Sequence, residues 1–226
     1  MKKTFYTEMA YLIGIASLAL GTAFMKFADL GLSMVVAPAY LLHLKLSETL
    51  PFFSFGMAEY IFQACLLLLL TLVLRSFKLS YLFSFVSAVF YGFLLDLFLL
   101  MVGLIPIVDT VSRLIAFLLG FGLCALGVSM MFHTYIAPEV YELFVKELAA
   151  QRGWKLSTVK TVYDCVSCAL AIAMSFAFFG FGHFEGVKAG TIACALLNGT
   201  LIGGISRALD HRFVFQDATR ARRFFQ

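Results

Sequence analysis

The chain has 226 residues, of which 62% are hydrophobic and 13% are charged, and its formal net charge is +4. Soluble domains are roughly 45–50% apolar and about 25% charged, so this chain has too little polar surface to fold in water. With a mean hydropathy of +0.96, the composition excludes a water-soluble fold and predicts a protein whose outer surface faces lipid.

A helix needs about 20 mostly apolar residues to cross a bilayer. Six windows meet this requirement, in chain order 8–27, 56–75, 80–102, 112–132, 159–180 and 187–207. Two further stretches, 33–46 and 138–150, are too short or too polar to span. We therefore predict an all-α polytopic membrane protein with about six transmembrane helices. Each short segment either enters the protein as a re-entrant half-helix or lies along the membrane interface.

Lysine and arginine lie mainly beside alternate ends of these windows, and cytoplasmic loops are enriched in both residues. The richer side holds Lys2, Lys3, Arg75, Lys78, Lys146, Arg152, Lys155, Lys160 and the arginines after the sixth window. The distribution predicts a membrane protein with both termini in the cytoplasm. The basic tail, 211–226, is then an orientation signal that contacts membrane lipid, and no nucleic-acid partner is expected.

An internal repeat is visible at an offset of about 106 residues. The tripeptide Ala19-Leu20-Gly21 recurs as Ala125-Leu126-Gly127, and Ala88 to Gly92 resembles Ala195 to Gly199 at an offset of 107. We predict a first three-helix repeat over 1–108 and a second over 109–210. Three crossings are an odd number, so the second repeat is inserted in the opposite sense. Inverted repeats are common in secondary transporters, with the substrate site near the midplane.

Ionisable residues inside membrane spans are costly and are therefore candidate functional residues. Glu59 and Asp164 lie near the starts of the second and fifth windows, at roughly matching repeat positions, and Asp96 lies deeper in the third. The first two could instead serve a structural role at a helix amino terminus. Arg113, near one end of the fourth window, could pair with Asp96 or extend to the membrane surface.

A second group of polar residues follows the fourth window. Pro138 suits the first turn of a helix, and if that helix points inward, His133, Tyr141 and Glu142 form a small polar cage. If it lies on the cytoplasmic face, the same residues form a solvated surface. Asn198, in a glycine-rich window, could hydrogen-bond across a helix interface or simply pack there.

The sequence contains no zinc-protease, nucleophile-elbow, P-loop or dinucleotide motif, so we expect neither an enzyme nor a metal or other cofactor. The five cysteines all lie in apolar segments, which does not favour a disulfide framework.

Several loop and helix-entry motifs resemble those of the bacterial YitT/YczE-type integral membrane proteins. They are Asp29-Leu-Gly-Leu-Ser33, Gly153-Trp154 with Leu156-Ser-Thr-Val-Lys160-Thr, and Asn198-Gly199, and the resemblance extends from about residue 8 to 208. It implies a protein of the bacterial inner (cytoplasmic) membrane with five or six spans and suspected transport activity. Many members continue Gly-Leu-Ser with proline, an aromatic residue and aspartate. This chain has Met34-Val35-Val36 there, whereas Glu142 keeps an acid at the equivalent place in the second repeat.

The leading hypothesis is a secondary transporter, or a translocating subunit, for a small polar or charged solute bound by carboxylates at a midplane site. Two other classes stay open. A non-transporting accessory or assembly protein predicts a stable partner and tolerance of carboxylate loss. A substrate-binding subunit of an energy-coupling-factor-type importer predicts tight ligand retention and an ATPase partner. A homodimer is also possible in each class.

Overall fold

The computed structural model describes residues 3–78, 80–181 and 185–218, and this part of the chain contains eight helices and two short strands. The first two residues and most of the predicted basic tail, from residue 219 onward, lie outside the described residues. His183 also lies outside the described residues.

Six helices are long and apolar enough to cross a membrane: α1 (Thr7–Ala28), α3 (Phe55–Leu74), α4 (Ser80–Val102), α5 (Thr110–Phe132), α7 (Leu156–Phe179) and α8 (Ala189–Arg212). Their outer faces carry exposed apolar side chains such as Leu72 and Leu100, which are 73% and 74% exposed. A surface of this kind is stable only against lipid. The prediction of an all-α polytopic membrane protein is confirmed, and each predicted window overlaps one helix.

The largest differences concern the last two long helices. Helix α7 begins at Leu156, three residues before the predicted window, and Lys155 is its N-cap residue. Helix α8 continues to Arg212, beyond the apolar window, and leads directly into a strand.

The two non-spanning segments form the short helices α2 (Ala37–Ser47) and α6 (Val140–Arg152). Both begin among buried residues, and both end at exposed ones, Glu48 after α2 and Arg152 in α6. Since protein surrounds their amino termini, this geometry favours the re-entrant alternative.

The two ends of the described chain meet. Strand β1 (Lys3–Tyr6) pairs in parallel with β2 (Phe213–Gln216), with Lys3 opposite Phe213 and Tyr6 opposite Gln216. The start of α1 and the end of α8 therefore lie on the same side of the helix bundle, as an even number of crossings requires.

Helices α1 and α5 form the central pair and approach closely through glycines. A methyl group on Gly21 would lie 2.6 Å from the carbonyl oxygen of Gly120, and one on Gly127 would lie 2.6 Å from that of Gly14. Gly120 and Gly127 follow Gly14 and Gly21 by 106 residues. Gly21 thus contacts Gly120, the repeat counterpart of Gly14, and Gly14 contacts Gly127, the repeat counterpart of Gly21. Two antiparallel helices related by a two-fold axis would contact each other in this way.

The contacts of the remaining helices also correspond when the helices of the first predicted repeat are exchanged with those of the second, a property that we call exchange symmetry. Helix α1 packs against α4 as α5 packs against α8, and α3 packs against α4 as α7 packs against α8. Both short helices lie against both α3 and α7. Two related units inserted in opposite senses would pack in this way, although the boundary between residues 108 and 109 stays a prediction.

Candidate functional site

The amino-terminal ends of α2 and α6 converge on a small internal cavity. Ser33, Val35 and Val36, before and at the start of α2, line one part of it, and Glu139 and Glu142 line another. Its volume is about 10 Å³, close to what one water molecule needs. The site thus lies where two half-helices meet in the protein interior.

The first part of the site joins α3 to the start of α6. The hydroxyl of Tyr141 donates to Glu59 Oε2 over 2.8 Å. The amide nitrogen of Gln63 lies 3.3 Å from Glu59 Oε2 and 3.2 Å from Glu139 Oε2, so it bridges the two carboxyl groups. The backbone N–H of Val140 donates to Gln63 Oε1 over 3.1 Å. Gln63 therefore satisfies one of the free amides at the start of α6 and fixes that end against α3.

The second part of the site lies on α7. Lys160 Nζ is 3.3 Å from Glu142 Oε1 and 3.0 Å from Asp164 Oδ1. The amide nitrogen of Asn198, on α8, donates to Asp164 Oδ2 over 3.2 Å. Lys160 and Asp164 are one helical turn apart, so they face the same way. Together these contacts connect α6, α7 and α8 through one buried amine.

We call these seven side chains the buried polar cluster: Glu59, Gln63, Glu139, Glu142, Lys160, Asp164 and Asn198. It contains four carboxyl groups and one amine, and none of these five is more than 2% exposed. Glu59 Oε1, Glu139 Oε1 and Glu142 Oε2 are buried without a hydrogen-bond partner among the described residues. The cluster can therefore accept more protons or cations than the lysine supplies.

Glu139 lies just before α6, outside the long helices, and its environment favours the protonated acid. Burial raises its pKa well above the usual value, and the neighbouring carboxyl groups of Glu142 and Glu59 raise it further. The hydrogen bond from Gln63 and the charge of Lys160 act in the opposite direction but are weaker. A carboxyl group in such surroundings releases its proton at a higher pH than an exposed carboxyl group does.

The ability of the cluster to bind protons does not imply that it binds a metal ion. Within the described ranges, no three histidine, cysteine or carboxylate residues are placed so that they could hold a metal ion.

The structure brings five of the eight predicted site residues together: Glu59, Tyr141, Glu142, Asp164 and Asn198. They come from α3, α6, α7 and α8. Counted from the helix starts, however, Glu59 corresponds to Lys160 and not to Asp164, because Ser54 and Lys155 are the N-cap residues of α3 and α7.

Asp96 and Arg113 lie elsewhere and do not pair with each other. Asp96 Oδ2 accepts from the Ser54 hydroxyl over 2.7 Å, and Oδ1 accepts from the Gly56 N–H over 3.0 Å, so Asp96 anchors the start of α3 to α4. Arg113 lies 3.7 Å from Asp29, which also pairs with Lys188 over 2.6 Å. The helix ends carrying these groups lie on the side away from the paired termini.

His133 is not part of the predicted cage. Its Nδ1 lies 2.7 Å from the carbonyl oxygen of Ser129, and its Nε2 lies 3.1 Å from Asp210 at the end of α8. The cage hypothesis placed it beside Glu142 because the two are close in sequence. The chain between them instead turns inward from the end of α5, which separates the two side chains.

Sequence reasoning missed Gln63, Glu139 and Lys160 as site residues. By sequence alone, Lys160 is only one of the cations beside the windows, although its spacing of four residues from Asp164 is the signal of an ion pair on one helix face. Glu139 lies next to the predicted Pro138 helix start, outside the apolar windows, and Gln63 is uncharged, so a search for ionisable residues inside spans finds neither.

The fold and site define a polytopic α-helical membrane protein with two half-helices, α2 and α6, that meet at the buried polar cluster. Residues 5–207 match a family of unknown function (DUF6198), and the chain belongs to that family. No curated protein and no solved structure matches the chain.

Proposed function

We propose that this protein is a secondary transporter for a small cationic solute, or for a solute moved together with protons, and that the buried polar cluster is its binding site. The observation that carries the proposal is the excess of carboxyl groups over amines at the meeting point of two half-helices. Charged groups in a membrane interior are costly and usually mark an ion or substrate pathway.

The energetics of the cluster support a site that exchanges protons or cations. Several buried carboxylates with a single amine cannot all be ionised without a large desolvation cost. Protons or a cationic solute would remove that cost, and their loss would restore it. A cluster selected only for rigidity would gain more from apolar side chains of similar volume.

The exchange symmetry of the helices supports alternating access. In transporters with inverted repeats, one unit rocks against the other around a fixed site near the midplane. Here α1 and α5 pack against each other and would lie at the axis of such rocking, and both half-helices lie against α3 and α7. Rocking about this axis would open the cluster to one side of the membrane and then to the other.

The location belongs to the same proposal. We place the protein in a bacterial inner membrane, with the paired termini in the cytoplasm, because the basic residues Lys78, Arg152 and Lys155 lie at turns on that side. A distant relationship to the YitT/YczE-type proteins, inferred from the loop motifs, would agree with transport.

The test is proton flux in liposomes containing the purified protein and an internal pH-sensitive dye. Gradients of sodium, potassium and methylammonium are imposed in turn, and at least one is expected to drive a protein-dependent pH change. Glu142→Gln and Asp164→Asn should abolish that flux.

Glu48→Gln serves as the matched control, because Glu48 forms an exposed pair with Lys45 over 2.7 Å and should leave the flux unchanged. If the two cluster variants transport as well as the unchanged protein, the cluster is not the transport site. Absence of flux with every cation, together with a stable copurifying partner, would instead favour an accessory or importer subunit.

A further inference from the structure

A large apolar groove opens on the lipid-facing side of the protein, next to the buried polar cluster. Its walls come from α3, α6 and α7 and include Leu66, Leu148, Val162 and Leu170, with Trp154 at the α6–α7 turn. We call it the lateral groove. Its volume is about 540 Å³, within the range of roughly 300–1,000 Å³ that is typical of small-molecule sites.

Aromatic side chains lie between the lateral groove and the cluster. Phe62, Phe144 and Tyr163 line the groove. The ring of Phe62 lies 6.2 Å from that of Tyr141, and the ring of Phe144 lies 5.5 Å from that of Tyr163. On its other side, the Tyr163 ring is 5.7 Å from Lys160 Nζ. Tyr163 therefore lines the groove and also lies against the amine of the buried polar cluster.

The two compartments have complementary chemistry. The groove offers apolar surface, and the cluster behind it holds four carboxyl groups against one amine, with oxygens of Glu59, Glu139 and Glu142 that lack hydrogen-bond partners in the described chain. A molecule with an apolar chain and a cationic head group would satisfy both. A lipid acyl chain would satisfy only the groove.

We infer that the substrates are amphipathic amines, which enter from the membrane through the lateral groove and place a protonated amino group among the carboxyl groups beyond Tyr163. This inference rests on the proposed transport function and narrows its substrate class. Entry from the lipid phase also agrees with the small size of the central cavity, because the apolar part of the molecule would stay in the groove.

Trp154 provides a direct readout of groove occupancy, because it is the only tryptophan in the chain. The protein is placed in nanodiscs of zwitterionic lipid and titrated with a terminally brominated alkylamine or with the brominated alcohol of equal chain length. Concentrations are expressed as mole fractions in the bilayer. The amine should quench Trp154 fluorescence at about tenfold lower mole fraction, as one charge-assisted hydrogen bond would produce.

Two substitutions distinguish the groove from the surrounding bilayer. Val166→Phe narrows the groove and should remove the preference for the amine, leaving the quenching that free membrane amphiphiles cause. Leu72→Phe adds the same ring bulk on an exposed face of α3 outside the groove and should change nothing. A double variant, Glu142→Gln with Asp164→Asn, should keep the groove but lose the preference for the amine.

Equal quenching by amine and alcohol in the unchanged protein would overturn the inference and identify the groove as a lipid site. That result would not change the interpretation of the proton-flux experiment, because transport of a small cation does not require the groove. Conversely, amine-selective quenching without any flux would support the binding site and contradict transport.

Discussion

Helices α3 and α7 begin alike but carry different chemistry into the centre of the protein. The fifth residue after the N-cap is Glu59 in α3 and Lys160 in α7, and the ninth is Gln63 in α3 and Asp164 in α7. In α3, two neutral donors, Tyr141 and Gln63, contact one oxygen of the Glu59 carboxyl group. In α7, an amine satisfies two carboxylates.

The two helices share the positions of these side chains but not their chemical identities. The backbone positions of the two helices correspond, so packing places both pairs of side chains at the centre. The identities of the side chains do not correspond, because the α7 half holds an amine, Lys160, whereas Glu59 in the α3 half contacts only neutral donors. If the proposed alternating access holds, such a site would respond differently when it is opened to each side of the membrane.

The strongest test of this comparison is removal of the fixed charge. Lys160→Met leaves Glu142 and Asp164 buried without a counter-ion, which typically costs about 3–5 kcal/mol when one partner of a buried pair is removed. We expect a loss of this size in the free energy of unfolding, measured by denaturation in mixed micelles. Glu59→Gln, at the corresponding position of α3, keeps an acceptor for Tyr141 and should cost much less.

A compensated variant provides the control for Lys160→Met. Combining it with Glu142→Gln and Asp164→Asn removes the unpaired charges, and replacing a whole buried ion cluster by neutral groups is often tolerated. Most of the lost stability should return. If Lys160→Met alone is as stable as the unchanged protein, the amine is not the counter-ion, and the proposed difference between the halves disappears.

The second test concerns the shared scaffold. Gly21→Ala and Gly127→Ala place a methyl group 2.6 Å from a backbone carbonyl oxygen of the opposite helix, and such overpacking typically costs about 1–3 kcal/mol. If the two-fold relation holds, the two substitutions should destabilise the protein by similar amounts in the same unfolding measurement.

Gly122→Ala is the matched control on α5, because apart from the adjoining turns of α5 itself no atom of the described residues lies within 4 Å of the added methyl group. Alanine is the better helix former by about 1 kcal/mol, so this variant should be neutral or more stable. A large loss at Gly21 with none at Gly127 would argue against equivalent packing of the two helices.

The scaffold was largely predictable from the sequence, whereas the site was only partly so. Long apolar windows identify membrane helices directly, since length and hydropathy are local properties. The repeat signal at Gly21 and Gly127 coincides with a close contact between α1 and α5, because packing there leaves no room for a larger side chain. The burial of Lys160 is not a local property, since it depends on Glu142, which another helix supplies. Counting cations near helix ends treats every such lysine as a loop residue.

His133 also shows that closeness in sequence does not determine which side chains meet. Nine residues separate it from Glu142, and that spacing made a shared cage plausible. The path of the chain between α5 and α6 decides the outcome, and it directs His133 toward Asp210. Asp96 likewise lies in an apolar run, yet its partners Ser54 and Gly56 show that it caps a neighbouring helix.

The last test concerns the proton-binding half of the comparison, at Glu139. Glu139 has a pKa raised above the ordinary value of 4.5, mainly by burial, so the folded protein retains a proton that the unfolded chain releases. Its contribution to stability is complete below about pH 4.5 and declines as the pH rises toward the raised pKa. Glu139→Gln removes this decline while keeping an oxygen that can accept from Gln63.

The measurement is the difference in unfolding free energy between Glu139→Gln and the unchanged protein from pH 4 to pH 8. The variant should gain relative to the unchanged protein as the pH rises, by at most about 1.4 kcal/mol per pH unit for one proton. Glu48→Gln, at an exposed carboxylate, should show no such gain. A difference that stays constant with pH would mean that Glu139 is ionised in the folded protein, and the α3 half of the site would then hold charge as the α7 half does.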